Sequence, residues 1–221
     1  DNLLGYYKEG ERFYKQDFTF SRSTTGTYTD SEGYIQEMPY NLLQQSNQFD
    51  TTWNTSSAAT VIGGQADKDG GTSAWKLEAI SASTAFARQF INISSSIATF
   101  SFYAKAGTTN WTYVNCIGIV AFFNLSNGTV GYKSSDIIDA SITSVGGGWY
   151  RVSITGTGMT EQRIYTAPRN NNSVSAVGDN IYIQNAQLVK GTSAKTYFPT
   201  TTRLNMPRVD YLNNSNGSLI L

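Results

Sequence analysis

Histidine is absent from this sequence, so the residue that most often serves as general base and as transition-metal ligand is missing. The single cysteine, Cys116, lies in the apolar run Val114–Val120 and reads as a small buried hydrophobe. It has no partner for an intrachain disulfide and no second thiolate with which to hold zinc. Glycoside hydrolysis asks only for two carboxylates roughly 5–10 Å apart. The acids here, Asp30, Glu32, Asp50, Asp67, Asp69, Asp136, Asp139 and Asp179, fall mainly in turn-forming stretches. In such places a carboxylate ordinarily accepts hydrogen bonds from neighbouring backbone N–H groups. Gly146-Gly147-Gly148 runs into a strand rather than a helix, which makes it a turn and not a phosphate loop. No catalytic residue, no metal and no cofactor is expected.

Binding is the chemistry that remains. A saccharide is held by aromatic faces against its C–H surfaces and by amides and hydroxyls at its oxygens, and the chain supplies 14 Tyr, 11 Phe and 4 Trp. Trp111 and Tyr113 stand two residues apart at a strand start and so share a face. Tyr103 points away from the side taken by Phe100 and Phe102. With Lys105, Asn115 and Gln184 as polar neighbours, these residues are the expected glycan contacts. Trp53 and Trp149 are expected to be structural instead, since aromatic rings dominate cores.

The elements that would carry these residues are strands. Phe100, Phe102 and Ala104 alternate with Ser101, Tyr103 and Lys105, and Tyr150, Val152 and Ile154 alternate with Trp149, Arg151 and Ser153. Both are the period of a half-buried strand. Another strand is expected over Ile181–Leu188. Asn127-Gly128 between strand-formers predicts a hairpin closed by a two-residue type I′ turn. Tyr28–Ile35 and Tyr211–Leu219 read as two further hairpins. Short aromatic and β-branched runs between Gly, Asn, Ser and Asp clusters mark an all-β jelly-roll sandwich with short flanking hairpin extensions. Residues 1–40 form a connecting segment, 41–199 the sandwich and 200–221 a C-terminal extension. Two-stranded ribbons are marginal in water, so both extensions need something to pack on.

The 221 residues carry 16 basic and 16 acidic side chains, hence no net charge, and no long run of either sign. A nucleic-acid partner would demand a basic face, so none is expected. Only 14% of residues are charged. Hydroxyls and amides cover the surface instead, a pattern suited to extracellular β proteins. No apolar run approaches the ~20 residues of a membrane helix, and Asp1–Gly10 has no signal-peptide pattern. The missing initiator Met and the final Leu219-Ile220-Leu221 lead to the expectation of a piece of a longer polypeptide. The Asn-X-Ser/Thr triplets, such as those at Asn54 and Asn124, follow from composition.

Phe18-Thr19-Phe20-Ser21-Arg22-Ser23-Thr24-Thr25-Gly26-Thr27-Tyr28, followed by Asn41-Leu42-Leu43, resembles a motif of phage tail and fibre proteins. Phe100–Gly107, Gly148–Ile154, Ile181–Gly191 and Tyr197–Thr201 are similar to phrases in the phage-encoded relatives of family 4 and family 9 carbohydrate-binding modules. Asn205–Tyr211 and Gly217–Leu221 fit the same proteins. The resemblance spans nearly the whole chain and rests on the order of the phrases more than on any one of them. It implies a virion-surface protein assembled in the host cytoplasm, a tail or tail-fibre component that attaches to host glycans. The implied partners are other virion proteins, further copies of itself in a homotrimer, and a cell-surface polysaccharide. A head fibre or capsid decoration protein, and a carbohydrate-binding module of a secreted enzyme, are the alternatives. Modules of these families often hold calcium through acids near their first and last strands. Here the last strand offers Gln184 and Asn185, whose neutral amides bind calcium more weakly.

Overall fold

The computed structural model describes residues 27–29, 34–37, 40–93 and 95–201, and the chain divides into two compact units, Asp1–Met38 and Pro39–Leu221. In the first unit β1 (Thr27–Thr29) pairs antiparallel with β2 (Ile35–Glu37), Thr29 opposite Ile35, where the first hairpin was expected. The hairpin expected over Tyr211–Leu219 lies outside the described residues, as do Arg22 and Arg208.

The second unit is a jelly-roll sandwich of two antiparallel six-stranded sheets, without a helix among the described residues. The first sheet contains β3 (Asn54–Thr55), β6 (Phe86–Gln89), β8 (Trp111–Asn115), β9 (Val120–Asn124), β10 (Thr129–Lys133) and β13 (Gln162–Ala167). Its order is β10-β9-β8-β13-β6-β3. The second contains β4 (Ala59–Gln65), β5 (Ala74–Ala79), β7 (Ala98–Ala106), β11 (Ile137–Gly146), β12 (Trp149–Gly156) and β14 (Asn180–Lys190). These run β11-β12-β7-β14-β5-β4.

Alternation builds the core. Phe100 and Phe102 on β7, Val152 and Ile154 on β12, and Ile181, Ile183 and Leu188 on β14 face Val114, Phe123 and Ile164 of the other sheet, all essentially without exposure. Each such side chain contributes about 1.5–3 kcal/mol by leaving water. Phe49 and Trp53, with ring centroids 4.7 Å apart, join the same core from the segment before β3. Cys116 is among its members, and burial pushes its thiol pKa up.

Two local expectations need correction. The β9–β10 hairpin exists, but Asn124 pairs with Thr129, so the loop is Leu125–Gly128 and not two residues. Only Gly128 takes positive φ (71°), with its N–H bonded to the Asn124 carbonyl at 3.0 Å. Asn127 avoids the left-handed region that a type I′ turn imposes. The outward side of β7 is also less open than its alternation suggests. Thr99 and Ser101 are 1% and 2% exposed, because the chain beyond β14 crosses over them. Thr99 bonds the Gly191 carbonyl at 2.9 Å, and Arg151 donates to the carbonyl of Lys195.

The two ends of the sandwich are pinned to each other. Asn41, fully buried, donates through Nδ2 to the carbonyls of Ala186 and Phe198 and accepts through Oδ1 from the N–H groups of Leu43 and Leu188. All four polar capacities of the amide are filled. Gln45 N–H meets the Thr201 carbonyl at 2.8 Å, and Ser46 N–H meets that of Thr200 at 3.2 Å. A bulge in β14 makes room for this arrangement. Asn185 takes φ 54°, and its N–H donates to Asn47 Oδ1 at 2.8 Å.

Candidate functional site

The six residues expected to contact glycan lie on opposite outer faces of the sandwich. Trp111, Tyr113 and Asn115 occupy β8 of the first sheet; Tyr103 and Lys105 on β7 and Gln184 on β14 belong to the second. They cannot form one site.

On the second sheet, Tyr103 pairs across with Arg151 on one side and Gln184 on the other. Two cations lie against its ring, Lys68 Nζ 4.8 Å from the centroid and Arg151 Cζ 5.7 Å from it. Gln184 is buried, and its Oε1 accepts the Lys68 N–H at 3.1 Å, so it holds the 66–73 loop instead of facing solvent. That loop is tied by Asp67, whose carboxylate accepts from the N–H groups of Asp69, Gly71 and Ser73 and from the Ser73 hydroxyl. These bonds, those of Ser73 foremost, hold its pKa far below the usual carboxylate value. Lys105 is half-buried, opposite Trp149 and Tyr182. A groove of about 250 Å³ is lined by Asp139, Ser141, Thr143, Arg151, Ser153 and Thr155, with Thr192–Ala194. Asp139 therefore sits in β11 and not in a turn, contrary to expectation.

The first sheet is different in kind. Phe86, Tyr165, Tyr113 and Phe122 are direct cross-strand partners over β6, β13, β8 and β9. Adjacent strands lie about 4.8 Å apart, so rings in one register row must stack. Centroids fall 4.9 Å apart for Phe86–Tyr165, 3.9 Å for Tyr165–Tyr113 and 4.6 Å for Tyr113–Phe122. The three inner rings are 3–5% exposed and form a second apolar cluster, distinct from the core, with Trp111, Phe86 and Val120 packed half-exposed around it. Tyr113 is thus corrected from a sugar platform to a supporting ring: both its faces are taken, and burial pushes its phenol pKa up.

The next register row is cationic. Arg88, Arg163 and Asn115 stand opposite one another on β6, β13 and β8. Glu161, just ahead of β13, receives Arg88 Nη1 at 2.9 Å on one carboxylate oxygen and Arg163 Nη2 at 2.6 Å on the other. Burial pushes the Glu161 carboxyl up, but the hydrogen bonds and charges of Arg163 and Arg88 outweigh it and leave the pKa lowered. Arg163 Nη1 also donates to the Tyr165 hydroxyl at 3.1 Å, linking the two rows. Arg88 lies over Phe90, 4.6 Å from the ring centroid, and both guanidiniums lie over Phe86. Three atoms of this row, Arg88 Nε, Arg163 Nε and Asn115 Oδ1, have no hydrogen-bond partner among the described residues.

Phe86, Arg88, Glu161, Arg163 and Tyr165 were not singled out from the sequence. Their signal was present as spacing: Phe86-x-Arg88 and Arg163-x-Tyr165 each put an aromatic and an arginine on one strand face, as Trp111-x-Tyr113-x-Asn115 puts rings beside an amide.

No family model matches the chain, and no similar curated protein was found. Among solved structures it is similar to the CBM22-2 xylan-binding domain of Paenibacillus barcinonensis Xyn10C, at 11% identity over 67% of this chain and 97% of that one, TM-score 0.41. It is similar to TmCBM61, solved with β-1,4-galactotriose, at 11% identity over 68% and 99%, TM-score 0.39. The enzymatically active domain of bacteriophage CBA120 tailspike protein 4 aligns at 16% identity over 69% of this chain but 21% of that one, TM-score 0.39. Likeness at this level assigns no ligand.

Proposed function

We propose that the chain is a non-catalytic glycan-binding module and that the outer face of its first sheet is the binding surface. The observation that carries this is the pair of adjacent register rows, rings in one and guanidiniums with an amide in the other. Half-exposed Trp111, Phe86 and Val120 supply apolar contact for sugar C–H surfaces, while Arg88, Arg163 and Asn115 supply donors for hydroxyls. The stacked rings beneath fix these contacts in place, so little ordering cost falls on binding. The groove on the second sheet has Ser and Thr hydroxyls with Asp139 and Arg151, and no aromatic side chain in its lining.

The test is a glycan panel read by calorimetry on the whole chain. Binding that weakens tenfold or more in Trp111→Ala and Asn115→Ala, and is unchanged in Ser141→Ala, supports this face. Loss of binding in Ser141→Ala or Thr143→Ala alone moves the site to the groove, and silence across the panel removes the function.

The wider setting rests on the sequence phrases shared with phage tail and fibre proteins. We place the module on the virion surface, as a trimeric tail or tail-fibre component that attaches to a host polysaccharide. Labelling of particles with an antibody to the sandwich tests the location. Light scattering on the intact chain tests the trimer, and a monomer at micromolar concentration counts against it.

A further inference from the structure

We infer that the saccharide taken by the first sheet is acidic, with its carboxylate seated at Arg88 and Arg163. This rests on the reading that the face binds glycan. Two guanidiniums share the single carboxylate of Glu161, so the cluster keeps one surplus positive charge. Glu161 is 4% exposed at its side chain, whereas those of Arg88 and Arg163 are 32% and 22% exposed. The compensating anion is below the surface and the cations are at it.

The direction of each guanidinium sharpens the point. Arg88 spends only Nη1 on Glu161, and no hydrogen bond of its Nε or Nη2 is found among the described residues. Nε is buried, so what Arg88 has left to offer a ligand is Nη2, a charge-assisted donor for one carboxylate oxygen. Arg163 spends Nη1 on Tyr165 and Nη2 on Glu161, and its Nε is buried, so it contributes charge to the site and not a free edge. Phe90 and Phe86 under the guanidinium planes limit their rotation and displace water, which strengthens attraction to an anion at the edge. Asn115 stands opposite Arg163 in the same register row, with its Oδ1 buried and its Nδ2 left as a donor. A neutral sugar would use the donors but would leave the surplus charge uncompensated. A uronate ring fills both needs.

The experiment titrates the intact chain with galacturonate hexamers as the free acid and as the methyl ester, and with neutral hexasaccharides, at low and moderate salt. A charge-assisted contact to the carboxylate gives a preference of roughly tenfold for the acid form, shrinking as salt rises. Arg88→Gln is expected to weaken binding of the acid more than that of the ester, so that the ratio of the two affinities falls toward one, and Arg88→Lys to retain only part of that ratio. Melting curves confirm that the variants fold. Equal affinity for acid and ester, or an acid preference that survives both Arg88→Gln and Arg163→Gln, overturns the inference and leaves the glycan-binding reading standing. Failure of every saccharide, neutral ones included, overturns both.

Discussion

The outer face of the first sheet is a row of stacked rings beside a row of guanidiniums; that of the second sets the single ring of Tyr103 between Arg151 and Gln184, beside a field of Ser and Thr hydroxyls. Both lie on the same core, and both are six strands wide. On the first, Tyr165 and Tyr113 each fill two contacts in one file, so stability is concentrated in few side chains. On the second, small hydroxyls bond to nearby chain, as Thr99 does with Gly191 and with Thr155, and no single residue carries much. A ligand surface needs rings and polar groups held in fixed positions, and the first face sets both side by side in adjacent register rows.

Substitution should expose that asymmetry. Tyr165→Ala removes the centre of the ring row and the acceptor of Arg163, and is expected to cost about 3–4 kcal/mol in chemical denaturation. Ser153→Ala on the opposite face should stay within about 0.5 kcal/mol. Comparable losses at both would erase the distinction.

Next in size is Glu161→Gln, at about 2 kcal/mol, because two guanidiniums are left facing a neutral amide. The pKa of Glu161 is lowered on folding, so its stabilisation is present above the unfolded carboxyl value near 4.3 and is lost as pH falls through the lower folded value. The wild-type chain should therefore lose stability below about pH 4, and Glu161→Gln should flatten that loss.

At the alkaline end the second face contributes. Burial pushes Tyr197, hydrogen-bonded to Ser46 Oγ, up to about 12. A raised folded value means its stabilisation is complete below pH ~10 and disappears as pH climbs through the folded value. Tyr197→Phe should delay alkaline unfolding while costing about 1 kcal/mol at neutral pH for the lost hydrogen bond.

The smallest contrast is between the turns that end each sheet. Gly128→Ala places a Cβ 2.7 Å from Tyr150 at φ 71°, and is expected to cost about 1–2 kcal/mol. Gly147→Ala, at φ 60° with a nearest neighbour 3.8 Å away, should cost about 1 kcal/mol from backbone strain alone.

What could be read from sequence follows from how far each signal reaches along the chain. Phe100, Phe102, Val152 and Ile154 declare themselves because a strand with one face in the core repeats every second residue. Tyr113 could not be judged that way: its neighbours are Phe122, across a near hairpin, and Tyr165, supplied by register with a distant strand. Two residues of equal polarity, Arg151 and Arg163, likewise gave no hint that one spans a covering loop and the other holds a buried acid. The Asn127-Gly128 dipeptide located a hairpin correctly, but the pairing of Asn124 with Thr129 fixed its loop length. Local chemistry sets the period of a strand, while only cross-strand register decides which side chains meet.

The fastening of Asn41 to Ala186, Leu188 and Phe198 has a corollary. Because residues 45 and 201 share a backbone hydrogen bond, the strands of the sandwich are strung between two points of the backbone that lie side by side, as the residues of a tight surface loop are.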